Sequence, residues 1–177
     1  MSRNVQRLFA AAAVLVFTLV SAPQFAQAES PIGRSEKIGV GVGAGPLISG
    51  VSGKFYLDQR NTIQALLGTT FYGGFGIEGN FVHEIQLTSF SGGRLDFHVG
   101  GGLAFRTFNY YAGFYYGGSF TMFGPNGVIG LGLKLKDVPL EFATEWHPGL
   151  YFGSGYWASP YSGFYYRGGA FYARWYF

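Results

Sequence analysis

The chain has 177 residues, with 12 Lys and Arg against 9 Asp and Glu, and it contains no cysteine. Without cysteine it has neither a disulfide framework nor a thiolate metal site. Aromatic residues make up 20% of the chain and charged residues only 12%, about half the charged share of an ordinary soluble domain. The composition is therefore too apolar for a typical soluble surface.

The first 28 residues predict a secretory signal peptide that is cleaved on export. Arg3 and Arg7 give a basic start, Leu8 to Val20 is apolar, and Ala26-Gln27-Ala28 is a small-residue cleavage site. The apolar run is shorter than the roughly 20 residues that a membrane-spanning helix needs. Residues 29–36 would then form a short periplasmic N-terminal segment. The mature chain is nearly neutral and has no basic stripe for phosphates, so no nucleic-acid partner is expected.

From Lys37 to Phe177, apolar residues recur at every second position. In the first segment, Ile38, Val40, Val42 and Ala44 share one face, and the opposite face holds only glycine. This period of two predicts a β-strand with two unlike faces. The same pattern is found in residues 51–57, 63–72, 75–87, 95–106, 128–136, 140–147 and 171–177. The sequence thus predicts an all-β domain of eight strands over residues 37–177.

The connections between these strands alternate in kind. Short polar turns are expected at 58–61, 89–93 and 136–139, and the other connections at 46–50, 73–75, 107–127 and 148–165. An aromatic-rich chain without a long apolar run can still cross a membrane as a closed set of strands, apolar on the outside. We therefore predict an eight-stranded antiparallel up-and-down transmembrane β-barrel, with both ends of residues 37–177 on the periplasmic side.

The second face of the predicted strands carries charged and polar residues. Charged groups at the middle of a lipid-facing wall would cost about 2–4 kcal/mol each for Lys or Arg, so these residues are expected to face the lumen. The predicted lumen charge network consists of Lys54, Glu78, Glu84, Asp96, His98, Lys134, Glu141, Glu145 and Arg174. We expect Arg174 to pair with Glu141 or Glu145, and Lys134 to pair with Glu141 from the other side.

Glycine alternates along the first strand at residues 39, 41, 43 and 45. In a barrel the first strand closes against the last, whose inward residues would be Tyr172, Arg174 and Tyr176. Small residues beside large ones pack well, so the glycines are expected to make room for these side chains.

The signal peptide, the alternation through Lys37–Phe177 and the final segment Phe171–Phe177 resemble the small eight-stranded outer-membrane β-barrel proteins of Gram-negative bacteria. The resemblance implies that Phe171, Trp175 and Phe177 act as the assembly signal. It also implies barrel-assembly machinery and periplasmic chaperones as partners during biogenesis, and outer-membrane lipid and lipopolysaccharide as surroundings. A monomer is favoured, and no cofactor or metal is expected.

Aromatic residues also cluster where strands would leave the membrane. Amphipathic rings favour the headgroup region, so these residues predict an aromatic girdle. Its expected members are Tyr110, Tyr111, Tyr115, Tyr116, Trp146, Tyr165, Tyr166 and Trp175. Residues 117–124 and 153–162 lie beyond the girdle, and any recognition surface is expected there.

The leading functional hypothesis is a structural or surface-interacting outer-membrane protein with a plugged polar lumen and aromatic extracellular loops. Eight strands enclose a bore only just wide enough for side chains to fill. One alternative is a narrow pore. The other is a lipid-modifying enzyme at the rim, with His147 and Glu145 near Ser154 or Ser159. We predict that the protein is not an enzyme, because these serines have no fixed spacing to a base.

Overall fold

The computed structural model describes residues 37–45, 47–70, 73–112, 116–154, 163–165 and 168–177. The predicted signal peptide and the segment 29–36 lie outside the described residues. The described chain is all-β. Its strands are β1 (Ile38–Ala44), β2 (Ser49–Tyr56), β3 (Asn61–Thr69), β4 (Phe75–Phe90), β5 (Gly93–Ala112), β6 (Tyr116–Leu135), β7 (Leu140–Trp146), β8 (Gly149–Ser154), β9 (Gly163–Tyr165) and β10 (Gly169–Tyr176).

Eight of the strands form a closed antiparallel ring. Strands β1 to β7 pair in chain order, and β10 pairs with both β7 and β1 to complete the circle. Strand β8 pairs with β6 beyond the end of β7, and β9 pairs with β8. Only His147 and Pro148 separate β7 from β8, and proline cannot donate a backbone hydrogen bond to a sheet ladder. The predicted antiparallel up-and-down sheet is confirmed.

The three predicted polar turns lie at one end of the ring, which we call the turn end. The bends at residues 57–60, 91–92 and 136–139 are found here, and the Phe177 N–H donates to the Ile38 carbonyl at 2.9 Å. In the first bend, partial burial alone would raise the pKa of Asp58. Hydrogen bonds from the Asn61 side chain and from the backbone N–H groups of Arg60 and Asn61 instead lower this pKa below its ordinary value. The opposite end, with residues 47–48 and 73–74, is the loop end.

The predicted long connection at residues 107–127 is wrong. Strands β5 and β6 are each 20 residues long and stay paired up to Ala112 and Tyr116. The prediction failed because the alternation inverts along these strands. Outward positions change from apolar Leu103 to polar Asn109, while inward positions change from charged to apolar. The predicted connection at 148–165 likewise contains β8 and β9. We call residues 107–112 and 116–121, together with β8 and β9, the loop-end extension.

The glycines of β1 make room for the aromatic side chains of β10, as expected. A Cβ atom at Gly39 would lie 2.6 Å from the Tyr176 ring, and one at Gly43 would lie 2.7 Å from the Tyr172 ring. Real Cβ atoms essentially never come within 3.0 Å of another heavy atom to which they are not bonded. Glycine at these positions therefore permits the closing pair of strands to pack large inward side chains.

Replacing Gly43 with Ala should lower the free energy of unfolding by about 1–3 kcal/mol, because the new methyl group overlaps Tyr172 and Leu66 inside the ring. The matched control is Gly53→Ala on β2, where an added Cβ meets nothing within 4 Å. We expect the control to be neutral. Urea unfolding in detergent micelles, followed by tryptophan fluorescence, measures both. Equal losses of unfolding free energy in the two variants would contradict the tight packing of β1 against β10.

Candidate functional site

The interior of the ring is charged and its outer wall is apolar. Ten Asp, Glu, Lys and Arg residues of the described chain are buried, together with two histidines. They are Lys54, Glu78, Glu84, Arg94, Asp96, His98, Arg106, Lys134, Glu141, Glu145, His147 and Arg174. The other charged residues of the described chain are Lys37, Asp58, Arg60, Lys136 and Asp137, and they lie at or beside the turn end. All nine residues of the predicted charge network are thus inside.

Three interior residues were missing from the predicted network: Arg94, Arg106 and His147. Arg94 and Arg106 share the alternation of Asp96 and His98 on β5, so the period of two could have found them. Both arginines lie next to segments that the sequence predicts as connections, and the predicted charge network therefore left them out.

Glu84 is the centre of the cluster nearest the turn end. Its carboxylate contacts the ammonium groups of Lys54 and Lys134, and the Tyr56 hydroxyl donates to it at 2.9 Å. Lys134 also reaches Asp96 at 2.9 Å, and Arg94 Nε lies 2.8 Å from the same carboxylate. Cations and anions therefore alternate around this level of the interior.

Glu141 organises the next level. Its Oε1 atom accepts from Lys54 Nζ at 2.9 Å and from Arg174 Nη1 at 3.3 Å, and the Tyr176 hydroxyl donates to its Oε2 atom. The predicted Arg174–Glu141 pair is confirmed. The predicted partner of Lys134 is wrong: although Lys134 lies directly opposite Glu141 in the ladder, its ammonium group binds Glu84 and Asp96.

Two histidines and two glutamates form the upper part of the interior. Glu145 accepts from Gln64 at 2.7 Å and lies 2.8 Å from His98 Nδ1 and 3.0 Å from His147 Nε2. The Nδ1 atom of His147 contacts Glu78, which also pairs with Arg106 Nη2 at 2.6 Å. Asn80 and Asn126 donate to the same Glu78 carboxylate, at 2.9 and 3.0 Å.

Arg106 lies between the charged interior and an apolar cluster in the loop-end extension. Its guanidinium carbon is 4.6 Å from the centre of the Tyr151 ring. The cluster consists of Ala104, Phe108, Phe120, Met122 and Tyr151. A cavity of about 20 Å³ lies beside Arg106, Glu78, His147 and Tyr172, enough for about one water molecule. Side chains thus fill the interior along its length.

The buried charges balance in number, with five carboxylates and five Lys or Arg side chains. Uncompensated buried charge costs several kcal/mol, whereas a hydrogen-bonded set of pairs recovers much of that cost. The arrangement is suited to holding the strands together and to holding protons.

The candidate catalytic set does not assemble among the described side chains. Both ring nitrogens of His147 contact carboxylates, those of Glu78 and Glu145. An imidazole held in this way has no free nitrogen with which to activate a hydroxyl group. The Ser154 side chain and the whole of Ser159 lie outside what the structure describes, so the absence of enzyme activity stays a prediction.

One group of residues has the spacing of a metal site. Ligand atoms of Glu84, His98 and Glu141 lie within 4.8 Å of one another, and all three residues are buried. The Lys54 ammonium contacts both glutamates and so occupies the place of a cation. These residues thus do not fit a metal ion while Lys54 is present.

The outer wall holds the described members of the predicted girdle and assembly signal. Trp146 and Trp175 are 42% and 44% exposed, and Phe171 and Phe177 are also exposed. Tyr110, Tyr111, Tyr116 and Tyr165 belong to strands, but their side chains are outside the description. Tyr115 and Tyr166 lie outside the described residues. The girdle and the assembly signal stay predictions.

Comparison with known proteins gives no relative. No family model, no curated protein and no solved structure matches the chain. In the part of the chain that the structure describes, no helix is long and apolar enough to cross a membrane. Function is therefore argued from the geometry of the ring.

Proposed function

We propose that the protein is a transmembrane β-barrel of a Gram-negative outer membrane, with a structural or surface-interacting role and a plugged lumen. The observation that carries the proposal is the inverted distribution of polarity. Charged side chains fill the interior, while exposed apolar side chains such as Val42, Leu67 and Phe142 cover the wall. In water this wall would be a large exposed apolar surface, but in lipid it is the favourable arrangement.

The apolar part of the wall has the height of a membrane. Along β5, outward residues are apolar from Leu95 to Phe105 apart from Gly101, and polar from Thr107 onward. Along β6 the change falls between Phe123 and Thr121. The 11 residues from Leu95 to Phe105 agree with the roughly 9–11 residues that a tilted strand needs to cross the hydrocarbon layer. The loop-end extension would then project beyond the membrane.

The filled interior favours a structural or surface role over a pore. Paired carboxylates and cations occupy the bore, and the apolar cluster in the loop-end extension covers its far end. The extension, including residues 117–121, is the part of the protein available to lipopolysaccharide or to other surface partners. The predicted signal peptide and the resemblance of the last strand to that of small outer-membrane β-barrel proteins favour an outer-membrane location. Barrel-assembly machinery and periplasmic chaperones would bring the protein there.

Gel mobility and conductance test the proposal. We expect the folded chain in detergent to migrate faster when unboiled than when boiled, and to partition with vesicles after an alkaline wash. Planar bilayers containing the protein should show no steady potassium or chloride current above the lipid baseline. A chain that stays in buffer without detergent would overturn the membrane assignment. A stable ion conductance would overturn the plugged lumen and favour the narrow pore.

A further inference from the structure

We propose that the interior of the ring relays protons along a chain of alternating carboxylate and imidazole groups. The proposal rests on the membrane-spanning function above and adds an activity to it. The chain is Glu84, His98, Glu145, His147 and Glu78. Chains of Asp, Glu and His residues inside membrane proteins are typical of proton pathways.

Each contact in the chain joins a different atom of its residue. His98 faces Glu84 through Nε2 at 3.5 Å and Glu145 Oε1 through Nδ1 at 2.8 Å. The other oxygen of Glu145, Oε2, lies 3.0 Å from His147 Nε2, and His147 Nδ1 contacts Glu78. Glu145 therefore bridges the two imidazoles, and each imidazole bridges two carboxylates. Three of the four contacts are hydrogen bonds, whereas His98 Nε2 makes no hydrogen bond and faces Glu84 only as an electrostatic contact.

The chain climbs along the axis of the ring. Glu84 and Glu78 both lie on β4, and the strand between them rises about 20 Å, or about 15 Å along the axis once strand tilt is included. At the upper end, Glu78 and His147 line the cavity of about 20 Å³. At the lower end, Glu84 lies 3.8 Å from Arg94, whose side chain is 10% exposed. The relay thus spans most of the charged interior.

Proton transfer along this chain requires no open bore. A proton arriving on His98 Nε2 makes the ring cationic, and the Nδ1 proton then passes to Glu145. Rotation of the Glu145 carboxyl group turns the O–H bond toward His147 Nε2, which takes up this proton. His147 then releases its Nδ1 proton to Glu78, and Glu78 releases a proton into the adjoining cavity. Each step breaks one N–H or O–H bond and forms another, and side-chain rotation resets the chain. Hydrated ions cannot follow, because the same side chains block their path.

Cations contact the carboxylates at both ends of the chain. Lys54 and Lys134 contact Glu84, and Arg106 pairs with Glu78. A passing proton neutralises one carboxylate at a time. The 3.5 Å step between Glu84 and His98 is the longest in the chain, and we infer that it limits the rate.

Proton flux into vesicles tests the relay. The folded protein is reconstituted into liposomes holding the dye pyranine, and a pH step is applied with valinomycin and potassium present. We expect the wild-type protein to give a proton flux well above that of protein-free liposomes. His98→Gln and His147→Gln should each reduce this flux by a factor of about ten or more. Glutamine keeps a hydrogen-bonding side chain of similar reach but cannot take up and release a proton at two sites.

The third histidine provides a matched control. His83 is half-buried, its Nδ1 atom lies 2.8 Å from the Asn61 side chain, and it is not part of the chain. His83→Gln should keep the wild-type flux.

Wild-type flux at the protein-free level, in protein that shows the heat-dependent gel shift, would overturn the relay and leave the barrel proposal standing. Flux that survives in the His98→Gln/His147→Gln double variant would also overturn it, because the protons would then follow water. Failure of the chain to enter vesicles at all would instead overturn the proposed function.

Discussion

Replacing Glu141 with Leu should lower the free energy of unfolding by about 3–5 kcal/mol, because the change leaves buried cations without their carboxylate. Arg174 is fully buried, and Glu141 is the one carboxylate with which it forms an ion pair among the described residues. Lys54 also loses a partner, although its contact with Glu84 remains. Urea unfolding of the vesicle-inserted protein, followed by the fluorescence of its three tryptophans, measures the loss.

A double variant separates lost charge balance from lost packing. Glu141 and Arg174 lie directly opposite each other on β7 and β10, so Glu141→Leu with Arg174→Met removes one anion and one cation from the same place. This variant should recover most of the stability lost in the single variant, because replacing a whole buried pair by apolar residues is often neutral. High salt should change neither result, since buried pairs are poorly screened. A single variant within about 1 kcal/mol of wild type would contradict the importance of the network.

Replacing Ile129 with Arg should lower the stability of the inserted protein by about 2–4 kcal/mol. Ile129 is 41% exposed on the outer wall, midway along the apolar interval of β6. If the wall faces lipid, the guanidinium lies near the middle of the hydrocarbon layer. If the wall faces water, an arginine at an exposed position costs nothing. Vesicle-based urea unfolding distinguishes these two environments.

A control on the same strand tests whether the cost of an arginine depends on its depth in the membrane. Ser119 is exposed on the outer face of the loop-end extension, beyond the apolar interval. Ser119→Arg should therefore cost about 0–1 kcal/mol, as expected for a position at or above the interface. Equal costs at Ile129 and Ser119 would argue against a membrane around the ring.

Much of the fold follows from one property of the sequence. Side chains of a strand alternate between two faces, so Lys54, Asp96 and Glu141 can be assigned to the same side of the sheet without any structure. The same rule pairs the glycines of β1 with the large residues of β10, once the ends of the sheet are assumed to meet. The same rule places Arg94 and Arg106 inside, although both lie beside segments whose composition predicts turns and loops.

The partners of the charges could not be predicted in the same way. Lys134 shows why: its backbone lies opposite Glu141, yet its flexible side chain carries the ammonium group to Glu84 and Asp96. Lys54 and Glu141 meet across the interior although they are on strands that do not pair. Such contacts depend on the tilt and stagger of the whole ring, which no local pattern encodes.

The alternation of the sequence is enough to assign residues to the inner or the outer face, because a period of two is a local property of extended backbone. The pairing of the charges depends on the folded ring, since those contacts arise only when the strands close. It also decided how far β5 and β6 extend. Their alternation changes sign near Phe105, so a search for one apolar face ends there while the strands themselves continue.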